Sequence, residues 1–320
     1  MPLCTRRRRT AGAASRSSTP KCETLLSPGW KPRIVFTARL SKALSGSTTS
    51  RSSSSGPCAL SERRPSRGHY QPIVELGSLR VVGAEALARW NDPDMGEIPP
   101  TVFVPIAEDD GLILPLGAQI LASACATAAR WPSALHVNVN ISGCQIRDPG
   151  LVDTIETALR EANLDPGRLL LEITESVFMK DVTASTDVLR RLRDLGVRLA
   201  IDDFGTAYSS LGRLKRFPIA QLKIDRSFVA GLPEDVDNLA IVTAVITMGH
   251  SLGLNVLAEG IETEAQLSAL QSLGCDLGQG FLFSHALPEA EFARWLCERD
   301  FRATSSPARL TKSASLKLVG

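Results

Sequence analysis

The chain has 320 residues, of which 43% are hydrophobic, and a formal net charge of +2. This length accommodates one large domain or two small ones, and the composition is that of a globular protein with a sizeable core. No apolar run reaches the roughly 18 residues that a membrane-spanning helix needs, and no apolar segment follows the N-terminal arginines as in a signal peptide. We therefore expect a cytoplasmic protein that does not insert into a membrane.

Charge is distributed unevenly along the chain. Residues 1–68 carry 14 Lys and Arg but only two acidic residues, and they are rich in Ser, Pro and Gly. Apart from a brief apolar pattern around residues 33–44, this segment buries too little apolar surface to offset the loss of chain entropy. We expect residues 1–68 to be a disordered or non-native leader and residues 303–320 to be a flexible tail.

Seven cysteines are present without a C-x-x-C pair. An odd number without that spacing indicates neither a disulfide framework nor a zinc site. We expect reduced thiols, which fits a reducing compartment.

Short apolar runs alternate with helix-like segments between the two ends. The predicted strands are residues 70–76, 81–88, 135–141, 168–174, 197–203, 220–225, 254–259 and 278–283. Apolar residues at helical spacing, acidic starts and glycine stops predict the helices 114–130, 182–194, 236–252 and 262–273. The strands are apolar almost throughout, as strands covered on both faces are. Their alternation with helices predicts a TIM-like (β/α)8 barrel in residues 69–302, with a doubly wound open sheet as the alternative.

The first two predicted strands depart from this pattern. Only about four residues, 76–79, separate Val74 from Val81. Such a link is too short for a parallel crossover and suits a hairpin. One strand near the N-terminus should therefore be antiparallel to the others.

Acidic or amide residues lie in or just after the apolar runs, where the strands of a barrel present their C-terminal ends to one face. These residues are Glu85, Asn140, Glu172, Asp202, Asp203 and Glu259. A single carboxylate in a strand is more often explained by structural pairing, but the recurrence of these residues at strand ends favours a shared site. Oxygen-only side chains suit Mg²⁺ or Mn²⁺. Two ions bridged by Asp202 would activate a water for phosphoryl transfer, with Lys223 neutralising charge or assisting that water.

Seven ordered blocks between residues 69 and 297 carry a family resemblance. They are YQPIV at 70–74 with EAL at 85–87 and RW at 89–90, VNIS at 139–142, EITES at 172–176, DDFGTAYSSL at 202–211, LKIDRSFV at 222–229, AEGIE at 258–262 and GCDLGQGFLFS at 274–284. With these motifs the chain resembles the EAL domain family of cyclic di-GMP phosphodiesterases. The resemblance implies a barrel enzyme in which a metal-activated water opens one phosphodiester of cyclic di-GMP and leaves linear pGpG.

The resemblance also implies roles for individual residues. The six oxygen-bearing residues would be the metal ligands, Lys223 would lie near the catalytic water, and Gln279 would help to position the site. Glu175 would steady the loop that follows Asp203, and Glu262 would support the ligands from behind. Gln71 and Arg89 would contact the substrate, Arg89 at a phosphate as its planar fork suits, and Phe281 would stack on a guanine. The family also makes a homodimer a candidate assembly.

Two departures from the family pattern support an alternative function. Ala207 replaces the last glycine of the usual DFGTG, and residues 58–69 stand where the family has a helix leading into the first strand. The alternative is a catalytically impaired module that binds cyclic di-GMP or a protein partner as a sensor. Nucleic-acid binding through Arg6–Arg9 is a third hypothesis, which is disfavoured because no aromatic residues interleave with the arginines.

Overall fold

Eight of the strands close into a barrel in the computed structural model, which describes residues 30–45, 68–180, 182–205 and 219–305. The strands are β1 (His69–Glu75), β2 (Val81–Leu87), β3 (Trp90–Asp92), β4 (Gly96–Ile98), β5 (His136–Asn140), β6 (Leu169–Thr174), β7 (Arg198–Phe204), β8 (Ile219–Ile224), β9 (Asn255–Ala258), β10 (Leu277–Gly278) and β11 (Leu287–Pro288). The barrel runs β1-β2-β5-β6-β7-β8-β9-β10 and closes through the pairing of β10 with β1. The predicted TIM-like barrel is confirmed.

Strand β1 is the antiparallel member of the barrel, as its short link to β2 predicted. It pairs antiparallel with both β2 and β10, whereas the pairs from β2 round to β10 are parallel. The link is tight because the Glu75 amide donates to the Arg80 carbonyl at 2.9 Å and Leu79 adopts a φ of +58°. A separate hairpin of β3 and β4 follows β2.

Helices cover the outside of the barrel. They are α1 (Trp30–Ser45), α2 (Pro100–Asp109), α3 (Ile113–Ala128), α4 (Gly143–Ile146), α5 (Leu151–Ala162), α6 (Glu175–Lys180), α7 (Val182–Asp194), α8 (Arg226–Val229), α9 (Val236–Ser251), α10 (Glu264–Ser272) and α11 (Glu289–Ser305). The main apolar core lies between the outward faces of the strands and these helices. None of the described helices is long and apolar enough to cross a membrane.

Helix α1 differs from the disorder expected for the leader. Its Leu40 is fully buried and packs in a cluster with Trp90 and Phe103, and Arg39 binds Asp92 at 2.6 Å. The brief apolar pattern around residues 33–44 therefore marks a helix whose apolar side is buried by the barrel domain, which composition alone did not indicate. The remainder of the leader and residues 306–320 lie outside the described residues, so the division into leader, barrel and tail stays a prediction.

The predicted strand 278–283 is wrong over most of its length, because β10 ends at Gly278. The chain then turns closely against the loop after β9: the Ile261 amide donates to the Gln279 carbonyl, and the Leu282 amide donates to the Ile261 carbonyl. A Cβ added at Gly280 would lie 2.1 Å from the Ile261 carbonyl oxygen. The glycine permits this approach, and the turn places Gln279 at the barrel mouth instead of extending the strand.

Two kinds of layer fill the barrel interior. Ile73, Leu257 and Leu277 form a small apolar cluster. Because side chains alternate along a strand, residues two positions further on from Leu257 and Leu277, Glu259 and Gln279, point toward the mouth. The apolar layer of the barrel interior is therefore followed, two residues further along these strands, by a layer of polar side chains at the mouth.

Candidate active site

Lys223 lies at the centre of a carboxylate cluster at the C-terminal mouth of the barrel. Its Nζ is 2.6 Å from Glu259 Oε1, 2.7 Å from Glu172 Oε2 and 3.0 Å from Asp202 Oδ1. Glu85 Oε2 is more distant, at 3.9 Å. The lysine side chain is 1% exposed, so its cation is neutralised by protein groups and not by solvent. Carboxylates from the ends of four strands, β2, β6, β7 and β9, therefore surround one ammonium group.

A break in β7 brings two consecutive aspartates to the mouth. Successive residues of a regular strand point to opposite faces, so Asp202 and Asp203 could not both face inward. Asp203 instead has a φ of +54°, and the pairing of β7 with β8 shifts register between Ile201 and Phe204. Backbone strain of this kind, at about 1–3 kcal/mol per residue, is concentrated at functional sites. One carboxylate atom each from Asp202, Asp203 and Glu259 lie within 4.8 Å of one another.

Amide side chains orient Glu85. Asn140 Nδ2 donates to Glu85 Oε1 at 2.6 Å, and Gln279 Nε2 donates to Glu85 Oε2 at 2.7 Å. Gln279 Nε2 also lies 2.9 Å from Gln71 Oε1, and Gln71 Nε2 donates to the Ser284 carbonyl at 3.2 Å. The Glu85 carboxylate is thus held at both oxygens by donors on either side of β2, one at the end of β5 and one just after β10.

Sequence reasoning missed Asn138. This residue is fully buried, and its Nδ2 donates to Glu172 Oε1 at 2.7 Å. The signal was present in the run HVNVNIS, because Asn138 precedes Asn140 by two residues and therefore points to the same side of β5.

Burial and mutual repulsion shift the pKa values of the cluster. Burial, with repulsion from Glu85 and Asp202, raises the pKa of Glu172 well above its usual range despite Lys223. Burial likewise raises the pKa of Glu259 to about 7. Burial acts to lower the pKa of Lys223, but the surrounding carboxylates outweigh it and raise the pKa well above its usual range. Lys223 therefore stays a cation at neutral pH.

The pKa of Glu85 is shifted in the opposite direction from those of Glu172 and Glu259. Burial alone would raise its pKa, but Lys223 and the amide donors Gln279 and Asn140 outweigh burial and hold the pKa below its usual range. Asp203 shows the opposite balance, because burial and repulsion from Asp202 raise its pKa. The cluster thus carries more potential negative charge than one lysine neutralises.

This donor set fits a hard divalent cation. The side chains that would hold it are Glu85, Asn140, Glu172, Asp202, Asp203 and Glu259. They offer oxygen ligands, the preference of Mg²⁺ and Mn²⁺. An excess of carboxylates around a single ammonium group is costly to bury unless a further cation balances it.

Glu175 lies beside the cluster at the start of α6. Its side chain is buried, and its Oε2 accepts a hydrogen bond from the Gly205 amide at 3.0 Å. Gly205 directly precedes residues 206–218, which lie outside the described residues and include Ala207. The bond holds Gly205, the last described residue before that segment, and the role expected for Glu175 stays a prediction.

The structure does not join three of the predicted site residues to the cluster. Arg89 donates to the Ala88 carbonyl at 3.0 Å and lies 3.8 Å from Glu97. Phe281 is 56% exposed and packs on His285, with ring centroids 4.1 Å apart. The side chain of Glu262 is exposed, and within the described residues only its backbone amide forms a hydrogen bond, to Gln266.

Several known proteins are similar to this chain in sequence. MucR of Pseudomonas aeruginosa, named a bifunctional diguanylate cyclase/cyclic di-GMP phosphodiesterase, is 45% identical over 231 residues, which are 71% of this chain and 34% of MucR. NbdA of the same organism, named a cyclic di-GMP phosphodiesterase, is 41% identical over 243 residues, which are 75% of this chain and 31% of NbdA. The chain thus spans about a third of the length of these curated relatives.

Comparison of structures agrees with the sequence matches. The solved complex of the PaMucR phosphodiesterase with c-di-GMP has a TM-score of 0.70 and 44% identity, and the match covers 72% of this chain and 95% of that one. The family model described as the EAL domain matches residues 59–286, a range that contains the whole carboxylate cluster. The chain belongs to the EAL domain family.

Proposed function

We propose that this protein is a metal-dependent phosphodiesterase that hydrolyses cyclic di-GMP to linear pGpG. The observation that carries the proposal is the buried cluster at the barrel mouth, in which several carboxylates surround one lysine. Cyclic di-GMP is supported as the substrate because the relatives MucR and NbdA are named cyclic di-GMP phosphodiesterases. The similar PaMucR phosphodiesterase was solved in complex with c-di-GMP.

The site residues support binding of two divalent cations, Mg²⁺ or Mn²⁺. Glu85, Glu172 and Glu259 would supply carboxylates from three strands, and Asn140 would supply its amide oxygen. Asp202 and Asp203, which the irregularity in β7 directs to the same site, would supply two further carboxylates. Bound cations of this class lower the pKa of a coordinated water and stabilise charge on the entering and leaving oxygens of a phosphoryl group.

Lys223 would act as a fixed cation in this reaction. The surrounding carboxylates raise its pKa, so Lys223 is a cation in the metal-free protein. In the reaction it would neutralise charge or assist the attacking water. The three carboxylates that it contacts hold its position before substrate arrives, and such preorganised charge is worth more in a buried site than in water.

Hydrolysis would add water across one of the two phosphodiester bonds. The water oxygen forms a bond to phosphorus, one P–O bond to a ribose oxygen breaks, and that oxygen takes up a proton. Gln71, which lies against Gln279 at the barrel mouth, would contact the substrate. Arg89 would contact a phosphate, and Phe281 would stack on a guanine.

The test is hydrolysis of cyclic di-GMP by the full chain with Mn²⁺ or Mg²⁺, read as pGpG by chromatography. We expect metal-dependent product from the wild type and none from Glu85→Ala. The matched control is Glu156→Ala, an exposed acid on α5 outside the site, which should retain wild-type activity.

Two results would overturn this proposal. A folded wild type that leaves cyclic di-GMP intact would refute the enzyme, and tight nucleotide binding without turnover would support the sensor alternative in its place. Activity unchanged by a chelator would refute the metal requirement. The homodimer and the cytoplasmic location stay predictions.

A further inference from the structure

The amides of β5 bond two buried glutamates, Glu85 and Glu172, in a crossed pattern. In the strand register, Asn138 stands opposite Glu85 on β2, and Asn140 stands opposite Glu172 on β6. The hydrogen bonds run the other way, from Asn140 to Glu85 and from Asn138 to Glu172. Each asparagine therefore reaches the glutamate of the strand on its other side, as the tilt of strands in a barrel permits.

Asn138 and Lys223 hold the Glu172 carboxylate from two sides. Asn138 Nδ2 lies 2.7 Å from Oε1, and Lys223 Nζ lies 2.7 Å from Oε2. The exposed fractions are 0% for Asn138 and 1% for both Glu172 and Lys223. Water therefore cannot replace either donor, and these two contacts set the rotation of the carboxylate.

Loss of the Asn138 donor would change where Glu172 points. A buried carboxylate oxygen without a donor is costly, and Lys223 is the strong donor beside it. The carboxylate would turn toward Lys223 and away from the cation that its oxygens would otherwise face. Partners that orient a metal ligand in this way commonly change metal affinity or activity by about 10- to 100-fold when they are removed.

We propose that Asn138 is a positioning residue that orients Glu172 for metal binding, as Asn140 and Gln279 orient Glu85. This inference rests on the proposed function, because it assumes that the carboxylate cluster holds divalent cations. Asn138 would act through Glu172 and would not itself contact the substrate.

The experiment compares Asn138→Leu with wild type by titrating Mn²⁺ into metal-free protein in a calorimeter. The variant keeps a side chain of similar size and removes the donor. We expect its Mn²⁺ dissociation constant to rise at least about tenfold. The Mn²⁺ concentration for half-maximal activity should rise in parallel, with kcat at saturating Mn²⁺ within about threefold of wild type, because added metal restores the bound state.

Gln221→Leu is the matched control. Gln221 is a buried amide on β8 that also points into the barrel, since it precedes Lys223 by two residues. It is 2% exposed, and its Nε2 has no hydrogen-bond partner among the described residues. This control should keep the wild-type Mn²⁺ dissociation constant. If Asn138→Leu does not fold, Asn138→Ser replaces it, because the serine hydroxyl is too short to reach Glu172 and should weaken Mn²⁺ binding in the same direction.

The outcomes separate the two proposals. A wild type that binds no Mn²⁺ refutes the metal-dependent function itself. A wild type that binds Mn²⁺ with an unchanged dissociation constant in the folded Asn138 variant refutes the positioning role alone. A lower melting temperature with unchanged Mn²⁺ affinity would assign Asn138 a structural role, which also overturns the inference.

Discussion

Replacement of Lys223 by Met tests whether this lysine neutralises the carboxylate cluster. Methionine has a similar length and no charge, so the substitution removes the ammonium group with little change in volume. The Lys223 Nζ contacts three carboxylates at 3.0 Å or less, and its side chain is 1% exposed. In metal-free protein the variant would bury these carboxylates without their common cation.

The expected loss of stability is large. Removing one partner of a buried ion pair costs about 3–5 kcal/mol, because the remaining charge is left uncompensated. For a domain of this size each kcal/mol corresponds to about 2–4 °C in melting temperature. We therefore expect Lys223→Met to melt about 10 °C below wild type in the presence of a chelator.

The assay is urea denaturation and thermal melting in EDTA, with Arg80→Met as the control. Arg80 is 70% exposed and forms a surface ion pair with Glu75 at 3.3 Å, a class of contact worth about 0–1 kcal/mol. The control should therefore lie within about 1 kcal/mol of wild type. A Lys223 variant equally close to wild type in EDTA would refute the view that this lysine neutralises the cluster.

Three further predictions concern metal binding, helix α1 and His136. Mn²⁺ at about 100 times its dissociation constant should raise the free energy of unfolding of wild type by about 2.7 kcal/mol, and melting curves that do not change on metal addition would contradict this. Leu40→Ala should cost about 3 kcal/mol in urea denaturation, because the fully buried side chain leaves a cavity under α1, whereas exposed Ser41→Ala should change little; equal stabilities would show that α1 contributes nothing. Burial, assisted by Arg198, lowers the pKa of His136 from 6.5 to about 4. The unfolded chain therefore binds a proton that the folded protein excludes, and stability that is fully present above pH 6.5 should fall by about 3 kcal/mol as pH drops to 4. His136→Leu should lose less stability than wild type over that window, and equal losses would refute the assignment.

The barrel itself could be predicted from the sequence because its signals are local. Apolar runs of strand length, separated by helical patterns, leave few arrangements other than a parallel barrel. The short link between Val74 and Val81 forced the antiparallel β1, since no parallel crossover fits four residues. The prediction failed at residues 279–283, where close packing of Gly280 on Ile261 depends on a loop distant in sequence.

The leader shows a second limit of local reasoning. Composition indicated disorder across residues 1–68, but burial of an apolar helix side depends on the surface it meets. Leu40 and Leu44 are buried in a cluster with Trp90 and Phe103, residues of the barrel domain. The partner surface, which the leader's own sequence does not contain, decides that α1 forms a packed helix.

Sequence alone determined which residue types gather at the mouth, because parallel strands present their C-terminal ends to one face. Tertiary structure decided how these residues meet. The φ of Asp203 directs two adjacent aspartates to one site, and strand tilt sends the Asn138 amide to Glu172. Closure of the barrel places Lys223 among carboxylates from three other strand ends. These are contacts between residues far apart in the chain, and their geometry is set by the closed barrel and not by any local pattern.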